Sequence, residues 1–531
     1  MDPYFGLVSP GRRPPIPGGG PQTVAAVLDA GLRVAPDRVA LVCRHHRLTF
    51  AQLSDDVARA SGWLRSIGVK PGDRVACSMG NYSELVITFL ATMRLGAIWV
   101  GLNRTLAPPE CAYILANSGV SIFVGDRQRA ELVRAQMGDL ADLRHVVDAE
   151  PGDAESEWAR SLQAADPLTA DPVIDPFAPA AIAYTSGTTG RPKGAVHSQH
   201  NLLLPGAVTA AQRPDPDARL GVLLPLTILN LVVLAPLVAF QDARICVLID
   251  RPDPVGIAQW VRNERVTTFA TVPTILHDLL THPDVTDEDL ASLVRPQTGG
   301  AGCPESFKRM YLQRFGTRVT VGYGLTEAPT AVTVEDPALP AVEGAAGRSI
   351  VQVSVTIRDD QGAVVPAGTA GEVCVGPAAE GPFAGVYTPM LGYWQLPDAT
   401  TEALRDGILY TGDLGWMNQD GDLFITDRKN DLIIRGGSNV SPAEVERVIQ
   451  DDDRVAACAV LGVADERLGE RVVAVIVRAS GAEISAEEIA QRCRSELSRY
   501  KVPQQFIFVD DLPRNAMAKV VKRELRARLG L

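Results

Sequence analysis

From about residue 24 to residue 330, short apolar, β-branched runs alternate with longer stretches whose apolar positions recur at helical spacing. Arg74 to Met79, Ser121 to Val124, Thr267 to Val272 and Thr317 to Val321 read as strands, since branched side chains fit a pleated surface. Phe50 to Ile67 and Ser83 to Leu95 read as helices, each with one apolar stripe. Strand and helix in alternation predict wound sheets of the α/β class.

The pattern changes twice further on. Between about Gly344 and Thr426 it shortens to strands broken by Gly, Pro and Asp turns, as in VQVSVTIRDDQG and GEVCVG, which predicts a small β-rich, barrel-like subdomain. After Asp431, Ser441-Pro442-Ala443-Glu444 predicts a capping box with proline at the first helical position. Two strand-like runs follow, Ala456 to Val463 and Arg471 to Arg478, then a second capping box at Ser485 and Glu488. The helix it opens puts Ile489, Cys493 and Leu497 on one face, to cover a small sheet. A last strand, Gln505 to Val509, precedes a closing helix after Lys519. The predicted division is a large N-terminal domain, 1–429, with a loose lead-in at 1–22 and its β-rich part at about 340–426, and a small mobile α+β lid, 430–531.

One apolar stretch, Gly221 to Phe240, is long enough to span a bilayer. Pro225, Thr227, Asn230 and Pro236 interrupt it, so it is predicted to be a buried helix or a strand-loop-helix inside the large domain. A length of 531 residues exceeds what one core supports, in keeping with two or more domains. The formal net charge of -12 excludes a broad nucleic-acid footprint, which needs a positive surface. The eight cysteines form no CxxC and no Cys/His cluster, which indicates reduced thiols and no structural zinc site. With a Pro- and Gly-rich start lacking an apolar leader core, these features predict a cytoplasmic protein without a membrane span.

The chemistry begins at AAIAYTSGTTGRPKG, Ala180 to Gly194, where a strand-like run enters a loop of Gly, Ser, Thr and Lys. Such a loop can converge backbone N–H groups, hydroxyls and an ammonium on phosphate oxygens. It is not a Walker A loop, because Lys193 follows Pro192 and precedes Gly194. Gly322-Tyr323-Gly324-Leu325-Thr326-Glu327 ends a strand in a glycine turn, a usual ligand position in wound sheets. Its tyrosine face can stack on a base, its hydroxyl can bond phosphate, and its carboxylate can hold magnesium. Cys303, in Thr298-Gly299-Gly300-Ala301-Gly302-Cys303-Pro304, has no base in the sequence to activate it and is read as a buried thiol.

With Tyr410-Thr411-Gly412-Asp413, Asp427-Arg428-Lys429-Asn430-Asp431 and Pro513 to Lys519, five motifs stand in one order along nearly the whole chain. Together they resemble the adenylate-forming (AMP-binding) superfamily, in its acyl-CoA synthetase branch. The resemblance implies an AMP-forming carboxylic acid:CoA ligase that takes ATP, Mg²⁺ and coenzyme A. It implies catalytic roles for Lys519, Thr326 and Glu327, the last also holding the metal. For ATP and AMP it implies Thr185, Ser186, Gly187, Thr188, Thr189, Gly190, Lys193, Gly300, Ala301, Tyr323, Asp413 and Arg428. A hinge falls on Asn430, and Gly436 and Gly437 line the coenzyme A tunnel.

Thr227, Ile228, Asn230 and Gly324 fall in the acyl pocket by the same resemblance. Ile228 stands where the family usually has His, and that apolar wall suits a medium-chain, alicyclic or aromatic acid. Asn515 and Ala518 replace a usual Thr and Gly in the loop of Lys519. Amino-acid activation is disfavoured, because the acyl stretch carries no aspartate for a substrate ammonium. Loading of a separate carrier protein is the runner-up; a luciferase-like oxygenase and an inactive nucleotide-binding module are the other readings. A homodimer is left open.

Overall fold

The computed structural model describes all residues except 1–5, 10, 12, 186–191, 213–214, 216, 300–302, 304, 429–432, 436–437, 466–467, 498 and 516–518; of residues 274, 427–428, 434, 438–439 and 469 the backbone alone is described. The chain forms two compact units, one of Met1–Val355 with Val375–Tyr410 and one of Thr356–Cys374 with Thr411–Leu531.

Two large sheets build the first unit. A seven-stranded sheet runs in the order Gly392–Tyr393, Lys193–Ser198, Pro179–Thr185, Ile98–Gly101, Arg74–Ser78, Ile122–Gly125, His145–Asp148. Its last five strands pair in parallel. Parallel strands are covered on both faces, which is why they read as unbroken apolar runs: Ala76, Ile98, Val100, Phe123 and Ile182 are all 2% exposed or less. The helices Phe50–Ser66 and Ser83–Arg94 fall where the periodicity put them, the first opened by a capping box of Thr49 and Gln52.

The nine-stranded sheet runs Arg348–Ser349, Ala328–Val334, Thr320–Leu325, Arg295–Gly299, Thr268–Thr271, Arg219–Val222, Ile245–Leu248, Val39–Val42, Arg47–Thr49. The strand predicted at Thr317 to Val321 thus lies a few residues later, carrying Tyr323 within it. Of the two forms predicted for the apolar stretch from Gly221 the structure shows the second: the end of a strand, a turn, and a helical run from Leu229 to Gln241 whose middle turn, Val233–Leu237, widens to a π-helix around Pro236. That widening accommodates a proline that has no N–H to give the α-helical ladder. Among the described residues no helix is long and apolar enough to cross a membrane. Within 1–22, Ile16 is 3% exposed and its N–H donates to Gln22 Oε1 at 3.2 Å, so this part of the lead-in is packed.

In the second unit, Asp413 to Met417 pairs antiparallel with Leu423–Arg428, an arrangement that sets Asp413 directly across from Arg428. Further along, Val455–Asp465 and Gly469–Arg478 form the long hairpin of a five-stranded sheet. Its two faces are sorted by strict alternation. Cys458, Val460, Val472, Ala474 and Ile476 pack with Ile489, Cys493 and Leu497 on one side. Ala459, Leu461 and Val475 pack with Leu512 and Leu525 on the other. The box at Ser485 and Glu488 is complete, whereas at Ser441 only half of the predicted box forms. Ser441 Oγ accepts the Glu444 N–H at 3.2 Å, but the Glu444 carboxylate takes both its oxygens to Lys501 Nζ, at 2.7 and 2.6 Å. A charge-assisted pair is stronger than a neutral N–H bond and wins the carboxylate.

Candidate active site

The predicted phosphate loop closes a hairpin. Pro179–Thr185 and Lys193–Ser198 pair antiparallel, with Thr185 opposite Lys193, and Ser186 to Gly190 lie outside the described residues. Gly194 is fixed by space: a Cβ there would come within 2.6 Å of Ile182 Cγ2 and 3.2 Å of the Tyr184 ring. The same glycine carbonyl accepts the Trp394 N–H at 2.8 Å, stitching the Gly392–Tyr393 strand to the hairpin.

That stitch brings in a residue the motifs did not mark. The Tyr393 hydroxyl donates to Glu327 Oε1 at 2.8 Å, and Lys193 Nζ lies 5.2 Å from the Tyr393 ring centroid. A carboxylate and an ammonium thus share one phenol, by a charge-assisted hydrogen bond and a cation–π contact. Some 66 residues separate Tyr393 from Glu327, and only the pairing of Gly392–Tyr393 with Ala195 and Val196 reveals it.

The backbone of the Glu327 turn is held as firmly. Asn230 Nδ2 donates to the Leu325 carbonyl at 3.2 Å, and the Met390 N–H donates to the Glu327 carbonyl at 2.9 Å. His197 Nε2 lies 2.8 Å from the Thr326 carbonyl. A carbonyl can only accept, so Nε2 carries the hydrogen. Complete burial lowers the pKa of His197 to about 4, against a partial rise from this bond, so the ring is neutral and its Nδ1 is buried without a partner. Asn230, predicted for the acyl pocket, is therefore also a strut of the Glu327 turn, and Thr227 from the same stretch rests its carbonyl against Gly101, where a Cβ would approach to 2.1 Å.

Tyr323 and Ile228 are half-buried, Gly324 is exposed, and Gly300 and Ala301 lie outside the described residues. Burial raises the Cys303 thiol to about 11, in keeping with an unreactive role. Among the described residues no cluster of three or more His, Cys, Asp or Glu could hold a metal. One carboxylate suffices for magnesium, which prefers one or two carboxylates completed by substrate phosphates and water, and Glu327 offers a second oxygen beyond the one bonded to Tyr393.

In the second unit Asp413 is 5% exposed and its N–H donates to Thr411 Oγ1 at 3.1 Å, while the Gly412 N–H donates to Glu372 Oε1 at 2.9 Å. The side chain of Arg428 and the whole of Asn430, Gly436 and Gly437 lie outside what is described. Lys519 is exposed, at the end of a loop closed on itself. Arg514 bridges Val520, the Asn515 N–H donates to the Lys519 carbonyl at 2.9 Å, and the Lys519 N–H donates to Asn515 Oδ1 at 3.0 Å. The departure at Asn515 thus has a structural use, as a side-chain acceptor for the backbone of the lysine.

Residues 28–394 match the family model for an AMP-binding enzyme, and residues 444–519 match that for the AMP-binding enzyme C-terminal domain. A feruloyl-CoA synthase of an Amycolatopsis species is 37% identical over 94% of this chain and 97% of its own. A fatty acid–[acyl-carrier-protein] ligase of Streptomyces coeruleorubidus is 31% identical over 96% of each chain. The crystal structure of ATP-bound MatB from Rhodopseudomonas palustris superposes with a TM-score of 0.87 at 30% identity, covering 96% of this chain and 98% of that one.

Proposed function

The chain belongs to the AMP-binding enzyme family, and from that membership we propose a course for its reaction as an AMP-forming acyl-CoA ligase with ATP, Mg²⁺ and coenzyme A. A carboxylate oxygen of the acid attacks the α-phosphorus of ATP. The bond to the β-phosphate oxygen breaks, and pyrophosphate leaves. The thiolate of coenzyme A then attacks the acyl carbon of the adenylate and AMP leaves.

One observation carries this reading in the first unit: Glu327 and Lys193 flank the ring of Tyr393, giving a metal-seeking carboxylate and a phosphate-seeking ammonium at one place. Lys193, Thr185 and residues 186–190 hold the triphosphate, Thr326 bonds phosphate, and Tyr323 stacks on adenine, with Gly300 and Ala301 beside the base. Mg²⁺ at Glu327 would offset charge on the departing pyrophosphate. Asp413 and Arg428 take the ribose hydroxyls, a role supported by their cross-strand pairing. Lys519 stabilises charge as the carboxylate attacks, and a lid turning about Asn430 removes it for thiol attack past Gly436 and Gly437.

The acid is apolar in body, in keeping with Ile228 and its neighbours Leu226 and Leu229, 0% and 3% exposed. The enzyme is cytoplasmic. Acid-dependent exchange of labelled pyrophosphate into ATP tests the first half; its absence with every member of an alkanoic, alicyclic and aromatic panel would refute adenylation. A second reading, transfer to a carrier protein, is favoured by the acyl-carrier-protein ligase among the relatives. Offering coenzyme A and a phosphopantetheinylated carrier side by side decides between the two acceptors.

A further inference from the structure

The acyl stretch begins at a reversal in the winding of the nine-stranded sheet. Arg219–Val222 connects to Ile245–Leu248 on one side, and that strand connects back across it to Thr268–Thr271 on the other. Wound sheets take ligands at the carboxyl ends of strands at such a reversal. Thr227 Oγ1 and Asn230 Oδ1, after the first strand, and Thr271 Oγ1, ending its neighbour, are buried side-chain atoms with no hydrogen-bond partner. Thr227 is 6% exposed and Thr271 2%. Buried polar atoms are nearly always paired, so each exception calls for an account, and at the strand ends of a winding reversal a ligand supplies one.

Their chemistry narrows that ligand. Asn230 must turn its NH₂ to the Leu325 carbonyl, so Oδ1 is left as an acceptor. A threonine hydroxyl both gives and takes. An ether or ketone on the substrate would leave Asn230 without a donor, and an ammonium would find no carboxylate between Leu223 and Val232. A hydroxyl satisfies both, donating to Asn230 and accepting from a threonine.

We infer that the acid activated here carries a hydroxyl on its apolar body, read by Asn230 Oδ1 and Thr227 Oγ1 at the reversal. The inference rests on the reading of this stretch as the acyl pocket. The hydroxyl can be phenolic or a carbinol on an alkyl chain, and two matched pairs separate these: 3-(4-hydroxyphenyl)propanoate against 3-phenylpropanoate, and 8-hydroxyoctanoate against octanoate.

Initial rates of acid-dependent pyrophosphate exchange give kcat/KM for each. In one pair the hydroxylated acid should be favoured by about 100-fold or more, since a site built for a hydroxyl strongly rejects the analogue lacking it. Thr227→Val should cut that preference about tenfold, with the apparent Tm of the free protein unchanged or raised, because no existing bond is lost. Equal use of both members in both pairs overturns the inference while leaving the ligase intact. A preference unmoved in Thr227→Val overturns the assignment of that hydroxyl. Exchange with none of the four acids, nor with any of the wider panel, overturns the underlying reading as well.

Discussion

At Glu327 three successive carbonyls, those of Leu325, Thr326 and Glu327, are bonded by Asn230, His197 and Met390, and the carboxylate itself by Tyr393. At Lys519 the structure spends its bonds differently. Asn515 holds the backbone of the lysine, while the long side chain is exposed. The first arrangement fixes a charge before any substrate arrives; the second fixes the backbone from which an exposed lysine projects. A carboxylate that is to hold a metal gains from being fixed in advance, and a long ammonium that is to be brought to the reacting group and withdrawn gains from a projecting stem.

The sharpest way to break this contrast is Lys519→Ala. Adenylation should fall about 10²- to 10³-fold or more, the scale of losing one electrostatic donor, while thioester formation from supplied acyl-adenylate persists. Equal loss in both half-reactions, measured by exchange and by adenylate consumption, would erase the distinction.

Tyr393→Phe probes the other side. It keeps the ring under Lys193 and removes the bond to Glu327, so the Mg²⁺ concentration for half-maximal exchange should rise about tenfold or more, as for other outer partners of metal ligands. Mn²⁺ binding by paramagnetic resonance, in the presence of a non-hydrolysable ATP analogue, should weaken in parallel. Unaltered Mn²⁺ affinity would reduce Tyr393 to packing.

Asn515→Ala should lower adenylation about fivefold, less than loss of the ammonium, because one neutral hydrogen bond to the loop is worth about 1 kcal/mol. Asn515→Asp, which keeps the acceptor, should recover most of it. If both behave alike, the loop closure is incidental.

The smallest effect is on stability. His197 is neutral in the fold, with a pKa held to about 4 against an ordinary 6.5, so unfolding takes up a proton below the latter value. Stability should therefore be unaffected by this group above about pH 6.5 and decline as pH falls from there towards about 4. His197→Gln keeps a donor for Thr326 and should flatten the decline; a slope unchanged in Tm against pH would contradict the neutral strut.

Residues whose chemistry is local were legible in the sequence: the loop with Lys193, the Thr326–Glu327 turn, and the helix face of Ile489, Cys493 and Leu497 that covers one side of the small sheet. Tyr393 was not, because its meaning comes from a two-residue strand laid against Ala195 and Val196, and short strands carry no periodicity. His197 and Asn230 were obscured in another way, since each works through a backbone carbonyl more than 90 residues along the chain. At Ser441 the motif was present but Lys501, supplied by tertiary structure, outbid the local partner for Glu444.

The hairpin that bears Lys193 has an electrical consequence. A phosphate loop that leads into a helix inherits roughly half a positive charge from aligned peptide dipoles, a contribution that no titration or modification can remove. Strand dipoles largely cancel, and here a strand, Lys193–Ser198, follows the loop. The charged part of the attraction for a polyanion then leans on the Lys193 ammonium, whose pull fades with ionic strength and is lost on acylation of that amine.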